Sequence, residues 1–163
     1  MNIYEYIKKD HKKVAHLFKQ FGKTESKERK KEIVNFIAQE LLVHLESEQA
    51  TFYKALENYP ESRSSALHGG EEHNDIETQL NAILGASTIN SAWDKKVLKL
   101  KEIVEHHVQE EENIIHKQAK KLLSEEKAMS LKEQMHEYKK TILMELNNET
   151  PATVEKTNNK KFG

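Results

Sequence analysis

Apolar residues recur along most of the chain three or four positions apart, which is the spacing of an amphipathic α-helix. Turn signals such as Gly22 and Asn58-Tyr59-Pro60 divide this pattern into five predicted helices. They cover residues 2–21, 27–57, 62–85, 91–122 and 125–146. Four long helices with short connections favour an all-α, up-down-up-down four-helix bundle. A short fifth helix is expected to pack across one end or along a flank.

Smaller features refine this picture at three places. Ser124, followed by two glutamates, is predicted to cap the start of the fifth helix. The pair Gly69-Gly70 is expected to loosen the beginning of the third helix. From Asn147 onward the residues are polar and lack periodicity, so the sequence predicts one domain over residues 1–146 and a disordered tail over 147–163.

Composition excludes several classes of protein. Five glycines and two prolines argue against a loop-rich β fold. The chain has no cysteine, which excludes disulfides, thiolate metal sites and cysteine nucleophiles. A net charge of -1 argues against nucleic-acid binding. No targeting signal and no long apolar stretch are found, so we expect a cytoplasmic protein that does not enter a membrane.

The chemistry lies where polar residues interrupt the predicted apolar faces. Each of the four inward faces carries one histidine, and the second and fourth also carry a glutamate one turn later. Residues four apart share a helix face, so both members of such a pair point inward together. These interruptions are His11, His44, Glu48, His73, His107 and Glu111.

A histidine followed by a glutamate four residues later is not in itself specific. Nine histidines and 24 glutamates in 163 residues would give roughly one such pair by chance, and the chain has five. The pair His106/Glu110 lies off the predicted apolar face, and His68/Glu72 lies beside the two glycines. Both of these histidines are expected on the surface. Three others are expected there as well, so the predicted surface histidines are His16, His68, His106, His116 and His136.

Burying Glu48 and Glu111 without compensation would cost several kcal/mol for each charge. A cation compensates well, and neutral imidazole nitrogen with carboxylate oxygen, in the absence of sulfur, suits iron, manganese or zinc. Glu77, one turn after His73, is interpreted as a further ligand, a hydrogen-bond partner of a ligand, or a solvated residue. The acidic residues Asp10, Glu46 and Glu110 are expected to be solvated or to orient ligands.

At these residues the sequence resembles the hemerythrin-like family of HHE cation-binding proteins. The matching stretches are Asp10-His11, His44-Leu-Glu-Ser-Glu48, Glu72-His73 with Ile76 and Leu80, His107-Val-Gln-Glu-Glu111-Glu112, and Leu123-Ser124-Glu125-Glu126. The resemblance covers about residues 1–145 and includes the fold named above.

The resemblance implies a non-haem centre of two iron ions in the bundle core. His11 and His44 would hold one iron and His73 and His107 the other. Glu48 and Glu111 would bridge the two ions, together with an oxo or hydroxo group. Zinc or manganese are expected as substitutes for iron.

Two departures from known relatives bear on function. Oxygen-carrying hemerythrins have a second histidine and an aspartate where this chain has Glu77 and Glu111, which disfavours simple O2 carriage. The absence of cysteine disfavours the role of the iron–sulfur repair relatives. We therefore predict a protein that binds or responds to O2, NO or peroxide by sensing, storage or scavenging. Two alternatives are a peroxidase-like di-iron enzyme and a metal-free helical interaction module. No catalytic residue and no protein partner is predicted.

Overall fold

The computed structural model describes residues 1–148 and places them in five helices. Helix α1 is Ile3–Lys23, α3 is Pro60–Leu84 and α5 is Glu125–Asn148. Helix α2 consists of Lys27–Glu48, a π-helical segment Gln49–Tyr53 and a last turn Lys54–Leu56. Helix α4 likewise consists of Ser91–Glu110, a π-helical segment Glu111–Ile115 and His116–Leu122.

Local sequence explains where several of these helices begin. Asn2 forms a capping box with Glu5, in which each side chain bonds the other residue's backbone N–H at 3.1 and 3.2 Å. Pro60 occupies the first turn of α3, where its missing N–H is tolerated. Ser124 accepts a hydrogen bond from the backbone N–H of Lys127, which confirms the predicted cap of α5.

The helices form the predicted four-helix bundle, in which α1 packs on α2 and α3 packs on α4. Helix α5 packs along α1 and α2, so it lies on a flank of the bundle. Its 24 residues make it longer than α1, whereas the pattern predicted a short element. Residues 149–163, which include most of the predicted disordered tail, lie outside the described residues. Residues 147 and 148 belong to α5.

Both π-helical segments shift the buried face of the helix that contains them. A π-helical segment adds one residue to the turn, so later side chains are rotated by about 100° from an α-helical pattern. After the segment in α4, Leu123 is buried, whereas the uninterrupted pattern predicted Leu122 in the core. On α3, which has no such segment, Leu67 was predicted to face the core and is 53% exposed. Leu67 is the earliest member of that predicted apolar face, before the glycines.

The core has two hydrophobic clusters with a polar layer between them. One contains Phe18, Ile37 and Trp93, and the other contains Ile3, Phe52 and Leu131. The inward histidines and glutamates lie between these clusters along each helix. Within residues 1–148, no helix has the length and apolar character needed to cross a bilayer.

Candidate metal centre

Six of the seven predicted site residues converge in the middle of the bundle. Each is at most 8% exposed, and together they come from all four bundle helices: His11, His44, Glu48, His73, His107 and Glu111. Their donor atoms form two groups, and within each group the atoms lie within 4.8 Å of one another. The first group contains His11 and His44, and the second contains His73 and His107. Glu48 and Glu111 belong to both groups, which is the arrangement of two carboxylates between two cation positions.

Each central carboxylate directs its two oxygens toward different histidine groups. In Glu48, Oε2 lies 3.5 Å from Nε2 of His44, and Oε1 lies 3.0 Å from Nε2 of His73. In Glu111, Oε1 lies 3.1 Å from Nε2 of His11, and Oε2 lies 3.4 Å from Nε2 of His107. The geometry of a shared pair of carboxylates is therefore already present in the side-chain positions.

Carboxylates outside the centre orient three of the four imidazoles. Nδ1 of His44 lies 2.7 Å from Asp10, a carboxylate that Lys139 also contacts. Nδ1 of His11 lies 2.7 Å from Glu112.

On the other side of the centre, Nδ1 of His107 lies 2.9 Å from Glu72. A carboxylate partner favours the tautomer that carries its proton on Nδ1, and this leaves the Nε2 lone pair free to bind a cation. The outer partners thus prepare the rings as ligands. Asp10, which the sequence predicted to be solvated or at best to orient a ligand, is 13% exposed and contacts His44.

Burial and proximity strongly shift the pKa values of the central groups. Burial raises the pKa of the Glu48 carboxyl well above its usual range, and the Glu111 carboxylate raises it further. Burial acts the same way on Glu111, but contacts with His107 and His11 hold the pKa of that carboxyl well below its usual range.

Burial and carboxylate contacts act in opposite directions on two of the imidazoles. Burial alone would lower the pKa of His11 and that of His107, but their carboxylate neighbours raise both pKa values to about 9. In the cation-free protein, protons on these rings supply the positive charge that balances Glu111. Bound cations would replace those protons.

The unsatisfied atoms of the centre test whether a metal fits. Within the described residues, five donor atoms of the two groups have no aligned hydrogen-bond partner: Nε2 of His11, Nε2 of His44, both oxygens of Glu48 and Oε1 of Glu111. Nδ1 of His73, the other nitrogen of that ring, also lacks one. Such atoms normally cost about 1–3 kcal/mol each, and more when charged. Coordination to cations would satisfy all five, and their nitrogen and oxygen character suits iron, manganese or zinc. The residues present therefore fit the implied metal.

Two buried residues beside the centre were missed by the sequence analysis. Tyr53 is fully buried, donates a hydrogen bond from its hydroxyl to Glu111, and stacks on the His73 ring with centroids 4.8 Å apart. His116 is 1% exposed, and Nε2 of this ring lies 3.8 Å from Oε1 of Glu111.

The predicted surface position of His116 is therefore wrong. The two π-helical segments are the cause, because they bring the fifth residue after Glu48 and after Glu111 onto the inner face. Neither nitrogen of His116 has a hydrogen-bond partner in the described residues, and burial lowers its pKa to about 4. The sequence signal for both residues was their equal five-residue distance from Glu48 and Glu111, since the apolar pattern itself does not change there.

The remaining candidates lie away from the centre. Glu77 is half-buried, belongs to neither donor group, and lines a cleft of about 1040 Å³ between α2 and α3 that also reaches His73. Glu110 is about a third exposed and pairs with surface histidines instead of a buried ligand. The four other histidines predicted on the surface are exposed, as expected: His16, His68, His106 and His136.

Comparison with known proteins agrees with this geometry. Residues 2–119 match the family model of the hemerythrin HHE cation-binding domain. A crystal structure of a hemerythrin HHE cation-binding domain-containing protein from Mycobacterium kansasii has a similar fold, with a TM-score of 0.75 and 21% identity. That match covers 94% of this chain and 97% of the other. A curated protein from Nostoc sp., described as a DNA nickase, is 28% identical over 127 residues. These residues are 77% of this chain, and they span 36% of that relative's length.

Proposed function

Because this chain belongs to the hemerythrin HHE cation-binding family, we propose that its core holds two iron ions and that it binds or responds to O2, NO or peroxide. One observation carries the proposal. Glu48 and Glu111 each direct one oxygen to the first histidine group and the other oxygen to the second. Two redox-active iron ions held there would supply a centre that reacts with small oxidising or diatomic ligands.

The chain's own residues define how such a centre would be held. His11 and His44 would bind one ion and His73 and His107 the other, with Asp10 fixing the His44 ring. The hydroxyl of Tyr53 would keep Glu111 oriented through its hydrogen bond. These contacts hold the donor atoms in place before a cation arrives, which reduces the cost of ordering them on binding.

The cleft between α2 and α3 supports access by small molecules. It reaches His73 and is lined by Leu45, Gln49 and Gly70, with Glu77 along it. The hydrophobic clusters on both sides of the polar layer limit the access of bulk water from elsewhere. Because His73 is only 5% exposed where it lines this cleft, a diatomic ligand or peroxide would reach the donor groups more easily than a large substrate.

Turnover of peroxide is the second candidate. It is favoured by His116, a buried imidazole without a hydrogen-bond partner in the described residues, placed 3.8 Å from Glu111. An imidazole at such a position is a suitable proton acceptor or donor for a small bound molecule. The metal-free interaction module is disfavoured, because it leaves the five unsatisfied donor atoms unexplained.

We do not extend DNA cleavage to this chain. The relative described as a DNA nickase is a little over twice as long, and the present chain has a net charge of -1. Its nicking activity belongs to a protein of which this chain spans about a third.

Anaerobic reconstitution with iron(II) tests the proposal. We expect about two ions per chain and changes in the near-ultraviolet and visible spectrum on adding O2, NO or peroxide separately. Consumption of peroxide well above that of free iron would favour the enzymatic alternative. A chain that remains metal-free after reconstitution, or an iron-loaded chain whose spectrum ignores all three molecules, would refute the proposal.

A further inference from the structure

A second group of histidines and glutamates lies on the surface formed by α3 and α4. It consists of His68 and Glu72 on α3 and of His106 and Glu110 on α4, and we call it the outer cluster. The two histidine side chains are 57% and 65% exposed, whereas Glu72 is 13% and Glu110 is 29% exposed. Each helix contributes a histidine and a glutamate four residues apart, which places each pair on one helix face.

Donor atoms of His68, Glu72 and Glu110 lie within 4.8 Å of one another, and His106 contacts the same two carboxylates beside them. Nε2 of His68 lies 3.1 Å from Glu110 and 3.7 Å from Glu72. Nε2 of His106 lies 3.1 Å from Glu110 and 3.5 Å from Glu72. A tetrahedral ion with bonds of about 2.0–2.1 Å separates its ligands by roughly 3.3–3.4 Å. His68, Glu72 and Glu110 therefore already offer three donor atoms to one small cation, and its fourth position would be left to water or to the neighbouring His106.

Glu72 connects this surface to the buried centre. Its Oε1 lies 2.9 Å from Nδ1 of the core residue His107, while its Oε2 faces His68 and His106. Its contact with His107 fixes the carboxylate in position, so the outer cluster is partly organised by the core. The carboxylate of Glu72 is therefore shared between the exposed outer cluster and a residue of the buried centre.

We propose that the outer cluster binds one divalent transition-metal ion and that this ion is a docking stage in the loading of the core. The two carboxylates balance a charge of +2, and carboxylate oxygen together with imidazole nitrogen suits zinc and, more weakly, ferrous iron. Ions that load the core must leave water and reach histidines that are at most 8% exposed. At the outer cluster these ions would exchange part of their hydration shell for protein ligands before they reach the core. The docking role rests on the proposed function, whereas binding at the outer cluster does not.

Zinc binding to the iron-loaded full chain tests the site. The test variant is His68→Ala/His106→Ala, and the matched control is His16→Ala/His136→Ala, which removes two other exposed histidines. After equilibrium dialysis against Zn²⁺, we expect one zinc per chain in addition to iron in the wild type and the control, and none in the test variant. After dialysis the iron content should be equal in all three proteins, because zinc binds the outer cluster more tightly than ferrous iron and displaces it there.

Three results would overturn the site. They are no additional zinc in the wild type, equal zinc in the test variant, or zinc gained only as the iron content falls below two ions per chain. The substituted histidines are more than half exposed, so melting temperatures should remain within a few degrees of one another. A test variant that fails to fold would be replaced by His68→Asn alone, for which we expect weaker zinc binding than in the wild type. Unchanged binding in that variant would overturn the site.

The rate of iron uptake tests the docking role. Stopped-flow mixing of the metal-free chain with iron(II) should show slower uptake in His68→Ala/His106→Ala than in the control, with the same final iron content. Equal rates would overturn the docking role. Absence of iron uptake in every protein would contradict the proposed function instead, and zinc binding to the outer cluster would then still decide whether that site exists.

Discussion

Replacing Gly69 by alanine should disturb the metal centre through Tyr53, although the glycine itself is not a candidate ligand. A Cβ atom at this position would lie 2.6–2.8 Å from three atoms of the Tyr53 ring and hydroxyl. Ordinary contact begins near 3.5 Å, so the ring would have to move by about 1 Å. This ring is fully buried, stacks on His73 and bonds Glu111, so its movement reaches the centre directly. Close approach of Tyr53, rather than a loosened helix, explains a glycine here, since α3 is continuous across it.

The adjacent Gly70 provides a matched control. A Cβ at Gly70 would meet only the flexible end of Gln49, at 3.4 Å. Both substitutions gain about 0.5–1 kcal/mol of helix stability, but only Gly69→Ala adds an overpacking cost of about 1–3 kcal/mol. The two variants should therefore differ by about 1–3 kcal/mol in the free energy of unfolding. For a chain of this size, that is roughly 2–12 °C in melting temperature.

Thermal unfolding of the metal-free variants, followed by circular dichroism, measures this difference. Gly70→Ala should melt at or above the wild-type temperature, and Gly69→Ala should melt below Gly70→Ala. The iron content of Gly69→Ala after reconstitution should also fall, because the moved Tyr53 no longer orients Glu111. Equal melting temperatures and equal iron content in the two variants would refute the assigned role of the Tyr53 ring.

Three further predictions concern charge and ligand orientation. The stability of the metal-free protein should fall as the pH rises from 6.5 to 9, because the raised pKa values of His11 and His107 stabilise the fold only while these rings are protonated. Denaturant titrations should show this loss, and bound metal should reduce it; a flat profile in the metal-free protein would contradict the assigned charges. Asp10→Asn should weaken iron binding by about 10–100-fold, because it removes the carboxylate that orients His44. Competition with a chelator measures this change, and unchanged affinity would count against the orienting role of Asp10. His116→Phe should preserve or raise the melting temperature of the metal-free protein, because it removes two unpartnered buried nitrogens within the described residues; a loss of several degrees would show that His116 has a partner that stabilises the fold.

The helices and the convergence of the histidines were predictable because both depend on one α-helical period. Ile33 and Ile37 repeat at four residues and are buried, and His44 and Glu48 continue the same face. Partners four residues apart remain neighbours whatever the tertiary structure. Packing of the four apolar faces then brings the four histidines together without further information.

The sequence pattern failed where the helical period changes. Tyr53 and His116 lie five residues after Glu48 and Glu111, and an uninterrupted α-helix would turn both away from the core. The apolar pattern contains no sign of the extra residue, because Phe52 and Ile115 keep the four-residue spacing and are buried as well.

Contacts between residue pairs on different helices could not be predicted from the sequence pattern either. His68/Glu72 and His106/Glu110 are unremarkable as separate surface pairs, and only the packing of α3 on α4 brings them together. For Glu77, the structure supplies a half-buried position on a cleft outside both donor groups. Its role as a ligand stays a prediction.

Iron stoichiometry tests the two-ion centre most directly, and the His68→Ala/His106→Ala background keeps iron out of the outer cluster. Elemental analysis of this protein after anaerobic reconstitution should give two iron ions per chain. Adding Glu48→Gln and Glu111→Gln, which preserve size while removing both shared charges, should reduce the content to one ion or none. Two ions retained without these carboxylates, or no iron bound when both are present, would contradict the account.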